Sequence, residues 1–195
     1  MGADRGLSAI DVPERLTWAV RILDPEPADR VLEIGCGRGV AVALVRDRLV
    51  TGTVTGIDRS AKAVEAARRR NSDALATGRA VFHTVSLEDA DFATGSFDRI
   101  LAVNVNLFWT RPADRELAAL GRWLVPGGLL CLCWEPPDGK RAGEIAAKVE
   151  PAVAGHGFTT EVRRAATARG GALVGVLGRA VVPGRLPGEE RPGRS

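Results

Sequence analysis

The chain has 195 residues, 45% of them hydrophobic and 26% charged, with a net charge of +3. That is enough for one domain with a full core, in the balance of a soluble globular protein, and so mild a basicity singles out no nucleic-acid partner. No run approaches the apolar length of a membrane span and the N-terminus lacks a secretion core. Three cysteines and two histidines exclude a disulfide framework and argue against a zinc site. The expectation is a reduced, metal-free protein of the cytoplasm.

In chain order, residues 11–23 read as an amphipathic helix. Asp11 is its candidate cap, Pro13 suits its first turn, and Leu16, Ala19, Val20 and Leu23 form its apolar face. After Asp24-Pro25-Glu26-Pro27, the run Val31-Leu32-Glu33-Ile34 is a buried strand that ends in the turn Gly35-Cys36-Gly37-Arg38-Gly39. Glycine there permits positive φ and lets a ligand come within contact distance of the backbone. A helix is expected over 40–50 and a second strand over 52–58, ending in Asp58. A carboxylate at that place is suited to accept both ribose hydroxyls of a nucleoside. The dinucleotide pattern G-x-G-x-x-G is not met, since Val40 stands where its third glycine belongs, and no G-K-[ST] makes a phosphate loop.

Ser60 is placed to cap a third helix that ends in Arg68-Arg69-Arg70, where the positive charge complements the helix dipole. Strands are expected over 80–86 and, started by Gly95-Ser96-Phe97-Asp98, from Arg99 to Asn104. Thr110 is the candidate cap of a helix with Leu117, Leu120 and Leu124 inward. The turn Leu124-Val125-Pro126-Gly127-Gly128 leads into a strand over 129–134, then a helix over 139–153 and two closing strands over 160–165 and 173–180. A single domain is expected over 1–182, with 1–28 as an N-terminal helix or cap and a disordered tail over 183–195.

The acid-glycine stretch Glu33-Ile34-Gly35-Cys36-Gly37-Arg38-Gly39, the strand Asp98 to Asn104 and the L-x-P-G-G turn at Leu124 together resemble the class I S-adenosylmethionine-dependent methyltransferases, in their small, type 11-like form. The resemblance runs from about residue 29 to 133. It implies an α/β fold: a doubly wound, Rossmann-like, seven-stranded sheet, mostly parallel with an antiparallel strand near the C-terminus, and helices on both faces. It also implies S-adenosyl-L-methionine as cofactor and S-adenosyl-L-homocysteine as its product.

By that resemblance Glu33, Gly35, Cys36 and Gly37 would hold the methionyl end, and Asp58 the ribose. Arg59 and Leu87 would bracket the adenine. Ser86 departs from the family, standing where many relatives carry an aspartate that faces the adenine amino group, with Glu88 as a substitute acceptor. Asn104 would lie where cofactor and acceptor meet and could position the acceptor. Trp18, Phe108, Trp109 and Trp134 are the candidate walls of an acceptor pocket, whose aromatic character favours a small molecule. The alternatives are an RNA or protein substrate, or a cofactor-binding scaffold without turnover. The strand end Asn104-Val105-Asn106-Leu107-Phe108-Trp109 lacks the Pro-Pro-aromatic signature of enzymes that methylate nucleobase amino groups. No metal or membrane contact is expected, and the chain would act as a monomer or homodimer. His83 and His156 read as structural, and no general base is identifiable.

Overall fold

The computed structural model describes residues 12–181. In chain order its elements are α1 (Glu14–Leu23), β1 (Arg30–Ile34), α2 (Val40–Arg46), β2 (Thr53–Asp58), α3 (Ala61–Arg70), α4 (Ser72–Ala76) and β3 (Ala80–Thr84), followed by β4 (Phe97–Val103), α5 (Leu107–Thr110), α6 (Asp114–Trp123), β5 (Leu124–Trp134), α7 (Gly139–Ala154), β6 (Phe158–Ala166) and β7 (Ala172–Ala180). They build one seven-stranded sheet in the order β3-β2-β1-β4-β5-β7-β6. The first five strands are parallel, and β7 enters antiparallel between β5 and β6. This is the doubly wound sheet with a reversed closing strand that the sequence implies.

Strands covered on both faces read as nearly continuous apolar runs, because each side chain is buried whichever way it points. Leu32, Ile34, Ile100, Ala102, Leu130 and Leu132 face a core closed by Phe108 of α5, Leu117 and Trp123 of α6, and Ile145 and Val149 of α7. Val31, Leu101, Leu129, Cys131 and Cys133 face the opposite core, with Trp18 and Leu23 of α1, Val42 of α2 and Val64 of α3. Glu33 points to this second side by strand alternation, which sets a carboxyl beneath α2. Trp18 lies there against Gly175 of β7, where an added Cβ would sit 3.1 Å from the indole.

Several boundaries differ from the sequence reading. Helix α2 stops at Arg46 because the N–H groups of Val50, Thr51 and Gly52 all turn to the Pro27 carbonyl, at 2.7–3.0 Å. Strand β5 begins at Leu124: the L-x-P-G-G stretch is an irregularity within the strand, across which the pairing with β4 moves from Phe97↔Leu124 to Arg99↔Leu129. Thr110 does not cap α6. Its hydroxyl donates back to the Asn106 carbonyl at the end of the short α5, which has too few residues to show a helical period. Ser60 does cap α3, accepting from the Ala63 N–H at 3.2 Å. Asp11 and the tail over 183–195 lie outside the described residues.

Candidate functional site

Loops leaving β1 and β4 diverge to opposite faces of the sheet, and the crevice between them is where open α/β sheets receive ligands. A cavity of about 430 Å³ occupies that place. Its walls come from the ends of four parallel strands: Ile34 and Gly35 after β1, Ile57 to Arg59 after β2, Val85 to Glu88 after β3, and Val103 to Leu107 after β4.

The glycine turn shapes one wall. Gly35 has φ +67, and a Cβ on it would stand 2.9 Å from Val105 across the cavity mouth, so only glycine leaves the opening clear. Asp58 holds the turn in register: one carboxylate oxygen accepts the Gly37 N–H and the other the Ser60 N–H, each at 2.9 Å. A carboxylate has about four acceptor positions, so two remain for a ligand diol.

Glu33 stands behind this wall. It is 3% exposed, and its Oε2 has no hydrogen-bond partner. Burial pushes its pKa up to about 8; the Val42 backbone N–H pulls against that rise and the Asp58 charge adds to it. An unpaired buried carboxyl of this kind is suited to meet a cation brought by a ligand. Cys36 is buried beside it, and burial, with the charges of Glu33 and Asp58, pushes its thiol far up, so the sulfur is no nucleophile.

On the β3 side, Ser86 donates to Asp89 Oδ2 at 2.7 Å and accepts the Asp89 N–H at 3.2 Å. Its hydroxyl keeps one acceptor position. Glu88 is held by Arg111 at 2.9 Å, and the same guanidinium reaches Glu116 at 2.7 Å. Leu87 is buried at the cavity wall, and Arg59 is exposed at its rim.

Asn104 takes φ +56, a left-handed conformation that asparagine tolerates better than most side chains. It turns the chain away from β4 and brings its own side chain between two cavities. The second cavity, of about 240 Å³, shares Asn104 and Asn106 with the first and is closed by Trp109, Trp134, Glu135, Pro136, Pro137, Arg141 and Ile145.

The structure thus brings Gly35, Asp58, Arg59, Ser86, Leu87 and Asn104 to one cavity. Glu33, Cys36 and Gly37 back its wall without lining it. Trp109 and Trp134 line the second cavity, whereas Phe108 is buried in the core under α5 and Trp18 lies in the opposite core, lining neither cavity. The N-terminal helix reaches the site through Arg15, which pairs with Glu135 at 2.9 Å. His83 stacks edge-on to Phe92, and His156 Nδ1 lies 2.7 Å from the Ala152 carbonyl; neither lines either of these two cavities. Asn106 and Arg141 were not legible as site residues, since each depends on where α5 and α7 pack.

Fold and crevice together define a Rossmann-like domain with a nucleoside-sized cavity at its switch point. The chain belongs to the methyltransferase-domain family, whose model matches residues 31–128, and within it to the class I S-adenosylmethionine-dependent methyltransferases. It is 33% identical over 116 residues to a trans-aconitate 2-methyltransferase of Deinococcus radiodurans, an alignment covering 58% of this chain and 41% of that protein. It spans between 24% and 44% of the length of this and three other curated relatives. Among solved structures the fold is similar to a Haloferax volcanii methyltransferase in complex with the Trm112 methyltransferase activator (TM-score 0.75, 18% identity, 88% and 90% of the two chains). It is also similar to a geranyl diphosphate methyltransferase solved with S-adenosylmethionine (TM-score 0.67, 17% identity, 85% of each chain). The unpaired Glu33 oxygen, the two open positions on Asp58 and the cavity between them fit the family's cofactor. Among the described residues no helix is long and apolar enough to cross a membrane.

Proposed function

We propose that this protein transfers a methyl group from S-adenosyl-L-methionine to a small-molecule acceptor by in-line displacement. The observation that carries this reading is the pair of cavities that meet at Asn104 and Asn106: one edged by Asp58 and the glycine turn, the other small and walled by tryptophan. In this reading Asp58 accepts the ribose hydroxyls. Leu87 and Arg59 bracket the adenine, and Ser86 offers its remaining acceptor position to the adenine amino group. Glu33 neutralises the methionyl ammonium through the turn formed by Gly35, Cys36 and Gly37. The trans-aconitate 2-methyltransferase likeness supports an acceptor of modest size.

When bound, the cofactor supplies a methyl already activated by its positive sulfur, so the chain's task is to hold the acceptor atom in line with it. Such positioning is worth roughly 7–11 kcal/mol in well-oriented systems. Asn104 is the residue placed to orient the acceptor. The carboxylates lining the two cavities are already engaged: Asp58 by backbone N–H groups, Glu88 by Arg111 and Glu135 by Arg15. Proton removal by a cavity side chain therefore has no free base, which favours acceptors that are nucleophilic as they arrive.

Calorimetric titration with S-adenosylhomocysteine tests this reading. We expect a Kd of about micromolar, no competition by NAD, and about a hundredfold weakening in Asp58→Ala, as for loss of hydrogen bonds to a charged acceptor. Thermal melts of the variant separate lost binding from lost fold, because Asp58 also braces the glycine turn. Failure of the folded wild-type protein to bind would overturn the cofactor assignment and bring the scaffold reading forward. Labelled methyl transfer to pools of small molecules, RNA and protein then distinguishes the acceptor classes.

A further inference from the structure

The second cavity contains more information than its aromatic walls. Asn104 Oδ1 accepts the Glu135 backbone N–H at 3.0 Å, and Asn106 Oδ1 accepts the Trp109 indole N–H at 3.2 Å. Both donors can only donate, so only the carbonyl ends of these amides can face them. The two NH₂ ends have no hydrogen-bond partner among the described residues, at residues that line the cavity. Arg141 adds a guanidinium over the Trp109 ring, 5.7 Å from its centre. One arm of that guanidinium is ion-paired with Glu144 at 2.8 Å, and its other donors have no acceptor among the described residues. Trp134 lines the same cavity, and its buried indole N–H has no acceptor among the described residues. Glu135, the one carboxylate among the described residues that line the cavity, pairs with Arg15.

The balance is therefore of N–H donors, those of Arg141 beyond its pair with Glu144 included, set against a flat apolar wall. We propose that this cavity recognises a small organic acid, with the acceptor's carboxylate held by Arg141 and the amides of Asn104 and Asn106, and its carbon skeleton against Trp109 and Pro136. The inference rests on the methyl-transfer reading and deepens it by naming the substrate class. A carboxylate offers two oxygens with several lone pairs to fixed N–H donors, and a guanidinium binds it in a fork. A neutral amide of the same shape puts an NH₂ against those donors and loses both the charge and the fit. The cavity's size, below the usual range for ligand pockets, confines the skeleton to a few carbons or a single ring. Placing Asn104 and Asn106 on both cavities makes the handle and the transferable methyl neighbours across one wall.

The test uses the whole chain saturated with S-adenosylhomocysteine, titrated with benzoate, phenylacetate and butyrate and with their primary amides. The expected result is at least about tenfold tighter binding of one or more acids than of the matched amide, the discrimination expected of a charged hydrogen-bonded contact. Arg141→Gln should abolish the preference and Arg141→Lys should keep part of it, since a lysine supplies charge without the fork. Affinity for S-adenosylhomocysteine, measured on the same samples, reports that the variants are folded. Equal binding of acids and amides, no binding of any acid, or an unchanged preference in Arg141→Gln overturns the proposal. If S-adenosylhomocysteine itself fails to bind the wild type, the methyl-transfer reading fails first, so the two failures are distinct.

Discussion

Glu33→Gln is expected to be more stable than the wild-type protein at pH 8 and about equal to it at pH 4.5. The reason is a proton held only by the folded chain. Burial raises the Glu33 pKa to about 8 from an ordinary 4.5, with the nearby Asp58 charge adding to the rise against the Val42 N–H. Between those values the folded protein keeps the proton and the unfolded chain releases it, so the unfolded state binds fewer protons and stability falls as pH rises. The stabilising contribution is whole below pH 4.5 and is lost as pH climbs to about 8. A shift of this size corresponds to roughly 5 kcal/mol as an upper bound. Glutamine has the same shape and no proton to lose, so its stability curve should lack that decline.

Asp98 and Glu116 act outside this window. Burial pushes Asp98 and Glu116 upward, but Arg30 and Arg111 outweigh it and hold both below the ordinary range, so their contributions vanish only in acid. Urea unfolding of the ligand-free protein at pH 5, 6, 7 and 8 measures the difference directly. Parallel curves for wild type and Glu33→Gln would show that Glu33 is ionised within the fold, and the account of an unpaired carboxyl beneath α2 would fail.

The fold was legible because its signals are local. Alternation of apolar runs with helical periods demands a doubly wound sheet, and the central runs Val31 to Ile34, Ile100 to Ala102 and Leu129 to Cys133 are buried on both faces as such a sheet requires. The glycine turn and Asp58 were legible for the same reason: the turn's φ values and the carboxylate's position at a strand end are set within a few residues of chain. What failed depends on partners far along the sequence. Trp18 was expected at the acceptor pocket but lies on the other side of the sheet over Gly175, a contact that exists only because β7 is inserted beside β5. Phe108 was expected at a strand end and is buried by the turn of α5. Ser86, read as standing where relatives carry an aspartate, makes a local contact instead, holding Asp89, three residues on, through two hydrogen bonds that leave it one acceptor position. The amides of Asn104 and Asn106 became informative only when Glu135 and Trp109 fixed which end faces the cavity.

Gly39→Ala should cost far more stability than Gly37→Ala, although both glycines belong to the same turn and both have positive φ, +71 and +52. An L side chain in that region carries a penalty of about 1–2 kcal/mol at either position. At Gly37 nothing lies within 4 Å of the new methyl, so that penalty is the whole cost. At Gly39 the methyl would stand 2.7 Å from Asn71 Nδ2, 2.8 Å from Ala67 Cβ and 3.0 Å from Ala67 Cα. Ala67 is backbone-fixed in α3 and fully buried, so it cannot swing aside. Asn71 is also fully buried, and its Nδ2 joins the Gly39 carbonyl to the Ala67 carbonyl at 3.1 and 2.9 Å. Displacing it leaves buried groups unpaired, at about 1–3 kcal/mol, and overpacking adds about 1–3 kcal/mol. The expected loss is about 4 kcal/mol for Gly39→Ala against about 1–2 for Gly37→Ala, read as shifts of the urea midpoint at constant slope. The ordering should reverse for ligand affinity among variants that stay folded. Gly37 donates to Asp58 and shapes the cavity wall, whereas Gly39 serves the seat of α2 on α3. Equal losses at the two positions would mean that α3 yields to the methyl, and that the third glycine of the motif is set by backbone conformation alone.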